Sequence, residues 1–237
     1  MLKISETKFR NYVSNIIIVV VIVCLFSLTY LGGTVRVFSS SNDKVYYHGN
    51  LNNNNISLMF NVYMGSEFIQ PILQTLEKYN AQATFFVGGC WVSKNSELLK
   101  EISKKGHEIG NHGYWHKDHK TLSQNQNESE IYLTHELVKS CINKDMLLFA
   151  PPSGSYNQTT LKVATYLGYK TIMWTKDTID WRDQDQELIY DRAIKSPCGG
   201  DLILMHPTKA TMLALEKVLF FYSNKGYKLT TVSENIA

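Results

Sequence analysis

The sequence predicts an α/β domain with a parallel sheet, open or closed as a barrel, behind one apolar N-terminal helix. Three observations carry that prediction. From Asn11 to Val35 no residue is charged, a length that spans a bilayer core of about 30 Å as a helix. From Ile56 onward, apolar runs of strand length alternate with amphipathic runs of helix length, the order expected of parallel strands joined by crossover helices. Finally, Asn61, His112, Pro151, Asp177 and His206 stand at or just after predicted strand ends, where folds of this class gather their chemistry.

The N-terminal element reads as a signal anchor. Its centre, Ile16 to Leu31, is almost wholly apolar, and Lys3, Lys8 and Arg10 precede it against a single Glu6. The positive-inside bias keeps such an N-terminus in the cytoplasm. No small-x-small cleavage site follows, because Leu28-Thr29-Tyr30-Leu31 is bulky. An uncleaved anchor is therefore favoured over a cleaved signal peptide or a buried core helix. The expected organisation is a cytoplasmic N-terminus over 1–12, a transmembrane anchor over 13–35, a polar tether over 36–55 and one domain over 56–237. On this reading the domain is membrane-anchored and lies outside the cytoplasm.

Composition bounds the rest. With 237 residues, 44% hydrophobic and 19% charged, the chain builds one sizeable core and is too short for two ordinary domains with linkers. The net charge of +3, with no Lys/Arg cluster interleaved with aromatics, gives no nucleic-acid footprint. Cys24 lies in the anchor, and Cys90, Cys141 and Cys198 form no Cys-x-x-Cys pair. Neither a disulfide framework nor a zinc knuckle is implied.

The tether is read from Ser39-Ser40-Ser41 and Asn52 to Asn55, polar residues that favour turns over regular elements. Ile56 to Val62 is then a strand, and Ser66 to Tyr79 a helix with Phe68, Ile69, Ile72, Leu73 and Leu76 on one face. Ala83 to Val87, Met146 to Phe149, Thr171 to Trp174 and Leu202 to Met205 read as further strands. Glu97 to Lys105, Glu128 to Ser140, Gln158 to Leu167 and Ala210 to Ser223 read as further helices. Gly106 to Gly110 is strand or turn.

His112 and His116, four residues apart, can aim both imidazoles at one metal ion from a helical turn or a tight loop. The spacing alone also fits two surface histidines. Asp177 reads as a cap for the turn that follows it, and Asp118 and His119 as part of a solvated loop.

Taken in order, five segments resemble the NodB-type polysaccharide deacetylases, carbohydrate esterase family four. They are Ala83-Thr84-Phe85-Phe86-Val87, Gly106-His107-Glu108-Ile109-Gly110-Asn111-His112 with His116, Ala150-Pro151-Pro152-Ser153-Gly154, Asp177-Thr178-Ile179-Asp180-Trp181, and Leu202-Ile203-Leu204-Met205-His206. The resemblance runs from Ile56 to the C-terminus. It implies a distorted parallel (β/α) barrel of the polysaccharide deacetylase type and metal-dependent removal of N-acetyl groups from amino sugars. It also implies residue roles: His112 and His116 as metal ligands, His206 as the acid that protonates the leaving amine, and Asp180 as the carboxylate that holds that histidine. Trp181 and Leu204 match the walls of the acetyl pocket, with Pro151 and Ser153 beside it. A divalent ion, Zn²⁺ on ligand type, would lower the pKa of bound water from ~15.7 towards ~7, and an amine leaving group needs a proton from an acid.

The first motif departs from the family. Two adjacent aspartates are expected after the first strand, one as base and one on the metal; here Asn61 and Val62 stand there. Asn61 can offer only an amide oxygen to a metal, and Val62 nothing. Ala150 replaces the arginine that pairs with the base, and Ser153 the usual tyrosine. Losing arginine and aspartate together avoids an unpaired buried cation. The pattern is similar to a membrane-anchored, sporulation-associated subgroup. Glu67 is the candidate replacement carboxylate, as base or third ligand, because it falls at a helix start close to the strand end; the competing reading is that it only stabilises that helix. The expected function is metal-dependent deacetylation of an N-acetylated wall glycan, peptidoglycan or chitin-like. A non-catalytic glycan-binding or scaffolding protein is the alternative.

Overall fold

The structure, a computed structural model, describes residues 6–31 and 43–237. The chain divides into two compact units, residues 1–39 and 40–237. In the first, helix α1 covers Glu6–Leu31 with Ile16 to Val23 exposed. Among the described residues no helix is long and apolar enough to cross a membrane. The anchor expected over 13–35 is thus an expectation of the sequence alone. Residues 1–5 and 32–42, including part of the expected anchor and tether, lie outside the described residues.

The second unit begins with β1 (Val45–Tyr46), β2 (Asn55–Val62), α2 (Ser66–Lys78), β3 (Thr84–Val87), α3 (Gly89–Val92), α4 (Ser96–Lys104) and β4 (Glu108–Asn111). It continues with α5 (Gln124–Ile142), β5 (Leu148–Phe149), α6 (Gln158–Tyr166), β6 (Lys170–Ile172), β7 (Lys176–Asp177), α7 (Gln186–Ile194) and β8 (Leu202–Met205). It closes with α8 (Lys209–Asn224), β9 (Lys228–Leu229) and α9 (Val232–Asn235). The strands form one curled parallel sheet in the order β1-β6-β5-β4-β3-β2-β8-β7, with β9 also on β2.

Burial explains the sequence pattern. Strands β2, β3 and β8 are buried almost end to end, as parallel strands covered on both faces must be. Ile69, Ile72, Leu73 and Leu76 on α2 are fully buried. Their helical spacing makes one stripe, and each contributes about 1.5–3 kcal/mol by leaving water.

Register sets the height of the site. Phe60 of β2 pairs with Met205 of β8, Val62 with Val87 of β3, and Val87 with Asn111 of β4. The residues that follow these pairs, His206 and His112, therefore emerge at one end of the sheet beside Asn61. One interruption matters later. Met173 N–H donates to Tyr46 on β1 (2.8 Å), whereas Thr175 N–H donates to Leu202 on β8 (2.9 Å). Trp174 stands at that switch, and among the described residues no ladder joins β6 to β7.

The domain starts earlier than residue 56. β1 pairs with β6, and Gly49 and Asn50 donate to the carbonyls of Gly200 and Asn235 at 2.7 Å. The asparagine-rich stretch looks like a linker because its side chains fold the backbone locally. Asn50 and Asn53 accept from the N–H groups of Asn52 and Asn55, each at 3.0 Å, the turn chemistry of short amides.

Candidate active site

A cleft of about 340 Å³ opens at the carboxyl end of the sheet. Asn61, Tyr63, His112 and His116 line one side; Asp177, Trp181, Leu204 and His206 line the other; Ser153 and Trp174 complete it.

His112 follows β4 directly and is fully buried. Its Nδ1 lies 2.7 Å from the Ala150 carbonyl, which can only accept, so Nδ1 carries the proton and Nε2 presents a lone pair. That Nε2, and Oδ1 of Asn61, are buried without a hydrogen-bond partner. Burial, followed by the neighbouring His116, holds His112 well below the ordinary histidine pKa, so it is neutral. His116 is also shifted down, chiefly by burial. The two ring centroids are 5.1 Å apart.

The pair sits on a tight loop. Gly113 has φ of 71° and His116 φ of 56°. A Cβ on Gly113 would stand 2.9 Å from Nε2 of His119, so both its conformation and its lack of a side chain are used. Glu130, a buried carboxylate on α5, grips the loop by accepting from the N–H groups of Tyr114 (2.9 Å) and Trp115 (2.7 Å). Glu130 was not legible as a site residue, since a mid-helix glutamate carries no signal of its target.

Across the cleft, Asp180 is fully buried and committed to His206. Oδ1 accepts from Nδ1–H of His206 at 2.8 Å, while Oδ2 accepts the His206 backbone N–H at 2.6 Å and the Thr211 hydroxyl at 2.5 Å. The ring is thus fixed in orientation and tautomer, with Nε2 left to serve the cleft. Gly65, with φ of 74°, lets the chain after β2 run against the carbonyl of Pro207, bringing the His206 loop against the Asn61–Tyr63 segment.

Other expected residues are placed differently. Glu67 lies exposed in the first turn of α2 and is not part of the cleft lining. Pro151 is buried next to the lining without joining it. Val62 and Ala150 are fully buried core residues. Asp177 reaches the cleft, yet its Oδ1 caps the turn by accepting from Ile179 N–H at 2.8 Å. His119, read as part of a solvated loop, is fully buried with Nδ1 2.7 Å from Asn127 Oδ1. Tyr63 and Trp174 are lining residues not expected from the sequence. Tyr63 follows Asn61 by two positions, and that strand period could have found it.

The polysaccharide deacetylase family model matches residues 48–172. The chain belongs to this family. A peptidoglycan-N-acetylglucosamine deacetylase of Bacillus cereus is 34% identical over 185 residues, covering 76% of this chain and 86% of that protein. YlxY, an uncharacterized protein of Bacillus subtilis, is 38% identical over 188 residues, 79% of this chain; the match spans 59% of the length of YlxY. Among solved structures, a family-four pseudoenzyme from Bacillus anthracis superposes with a TM-score of 0.81 at 34% identity, covering 83% of this chain and 70% of that one. A mutant of that pseudoenzyme with restored enzymatic activity superposes equally, with a TM-score of 0.81 at 32% identity over 83% of this chain and 72% of that one.

For a member of this family the question is whether the donors fit a metal. His112 Nε2 and Asn61 Oδ1 are buried, unpartnered acceptors on two residues of the cleft lining, which favours a cation. The set stops there: among the described residues no group of three or more His, Cys, Asp or Glu is arranged to hold an ion. Catalytic zinc sites draw on three imidazole, carboxylate or thiolate ligands, and here the third donor would be a neutral amide oxygen, a weaker ligand than any of these. The residues do not fit a resident divalent ion.

Proposed function

We propose that this protein recognises N-acetylated cell-wall glycan at the deacetylase cleft without hydrolysing it. One observation carries the reading: Asn61 and Val62 stand where the family has its two aspartates, and Asp177, the carboxylate among the described lining residues, caps its own turn through Oδ1. An amide cannot take a proton from water near neutral pH. What remains is suited to holding an acetamido group. Leu204 and the indoles of Trp174 and Trp181 offer an apolar pocket for a methyl, and His206 offers Nε2 to the amide side. The absence of an arginine at Ala150 fits the same history, because no carboxylate is left for it to pair with.

The membrane anchor belongs to this proposal. The uncharged run from Asn11 to Val35, preceded by Lys3, Lys8 and Arg10, supports a domain tethered on the outer face of the membrane, within reach of peptidoglycan. Protease protection of the N-terminus in intact cells, with cleavage of the domain, is the expected topology.

The second reading is a deacetylase that acts with added Zn²⁺. It is favoured by the intact Asp180–His206 pair and by the lone pair of His112. Calorimetry with chito-oligosaccharides and soluble peptidoglycan, run beside an acetate-release assay with and without Zn²⁺, separates the two. Binding with no acetate released in either condition supports recognition without turnover. Acetate release that His206→Ala abolishes overturns it in favour of the hydrolase.

A further inference from the structure

Tyr63 faces all three histidines of the cleft. Its ring centroid lies 4.0 Å from that of His116, 6.2 Å from His206 and 6.3 Å from His112. The ring tilts over His116 at 37° and meets His206 nearly perpendicularly, at 83°. It therefore crosses the space between the two walls. The side chain is partly exposed to the cleft, and its hydroxyl makes no hydrogen bond to the described residues.

The two buried, unpartnered polar atoms nearest it are of the opposite kind. Asn61 Oδ1 and His112 Nε2 are unpartnered acceptors. An acetamido carbonyl oxygen is also an acceptor and gains nothing from them; it needs a donor. A phenol provides one, on a ring already held in place by packing. Building on the glycan-recognition reading, we infer that the Tyr63 hydroxyl donates to the N-acetyl carbonyl of the bound sugar and so sets the preference for acetylated over free amino sugars.

The test uses the full domain, titrated by calorimetry with chitotetraose and with the corresponding glucosamine tetramer. Tyr63→Phe retains the ring on His116 and removes only the hydroxyl. The expected result is affinity for chitotetraose lowered about three- to tenfold, the worth of one neutral hydrogen bond, with affinity for the glucosamine tetramer and the melting temperature unchanged. A variant that binds chitotetraose within twofold of the unaltered protein overturns the inference, as does an equal loss for both oligomers. If the unaltered protein binds neither oligomer, the recognition reading fails and takes this inference with it. If it binds and Tyr63→Phe binds equally, the inference alone fails.

Discussion

Replacing His107 with asparagine removes a defined part of the acid sensitivity of the fold. His107 sits just before β4, 6% exposed, and its Nδ1 accepts the N–H of Ala83 at 3.3 Å. That acceptor role requires a neutral ring. Burial first, and then Lys105, lower its pKa from 6.5 to about 4. The unfolded chain takes up the proton near 6.5, so between pH 6.5 and 4 the unfolded state binds more protons than the folded one. Stability is complete above 6.5 and is lost as the pH falls through this window. Between pH 7.5 and pH 5 the loss from this one group is about 2 kcal/mol. Asparagine keeps an oxygen for Ala83 and cannot titrate. Urea unfolding of both proteins at pH 7.5 and 5 measures the effect as a difference of differences, which cancels any constant cost of the substitution. His112, His116 and His119 are shifted in the same direction, so the variant keeps part of the slope. Equal pH dependence in the two proteins would refute the reasoning.

Three further outcomes are expected. Asp180→Asn can keep its two contacts at Oδ2, but its amide nitrogen then meets Nδ1 of His206, which must give up its proton to Nε2. Imidazole ¹⁵N shifts should report the inverted tautomer, with about 1–3 kcal/mol of stability lost, and an unchanged tautomer would contradict the assignment. Gly113→Ala forces a Cβ into a left-handed position against His119 and should cost about 1–3 kcal/mol in thermal or urea unfolding; a neutral result would mean that the loop relaxes freely. Asn61→Asp adds a carboxylate to the two imidazoles, and Zn²⁺ affinity by equilibrium dialysis should rise at least about tenfold. No gain would show that the missing charge is not what keeps the ion out.

Much of the scaffold could be read from the chain because its central strands are continuous apolar runs. Leu202 to Met205 is recovered to the residue, and α2 within one residue of its end. What escaped has little hydrophobic signal. β7 is Lys176–Asp177, and α7 starts from an Asp185 cap that accepts the N–H groups of Glu187 and Leu188 instead of from an apolar stripe. In the site, the motif-borne residues His112, His116, Asp180, Trp181, Leu204 and His206 do converge. Glu67 does not, since the helix dipole that makes an acid welcome at that position acts on the exposed face as well. Glu130 and His119 were hidden for a different reason. Glu130 holds backbone N–H groups and Lys117 of the loop, and His119 meets Asn127 of α5, contacts that no sequence spacing encodes.

The switch at Trp174 has a mechanical meaning. A closed barrel can widen its mouth only by breaking hydrogen bonds between neighbouring strands. Here the perimeter is already parted where an indole forms the wall. Moving that wall outward costs the packing of one aromatic ring and leaves every ladder intact. On the glycan-recognition reading, the breadth of sugar substituents that the mouth admits is set by the side chains at this seam.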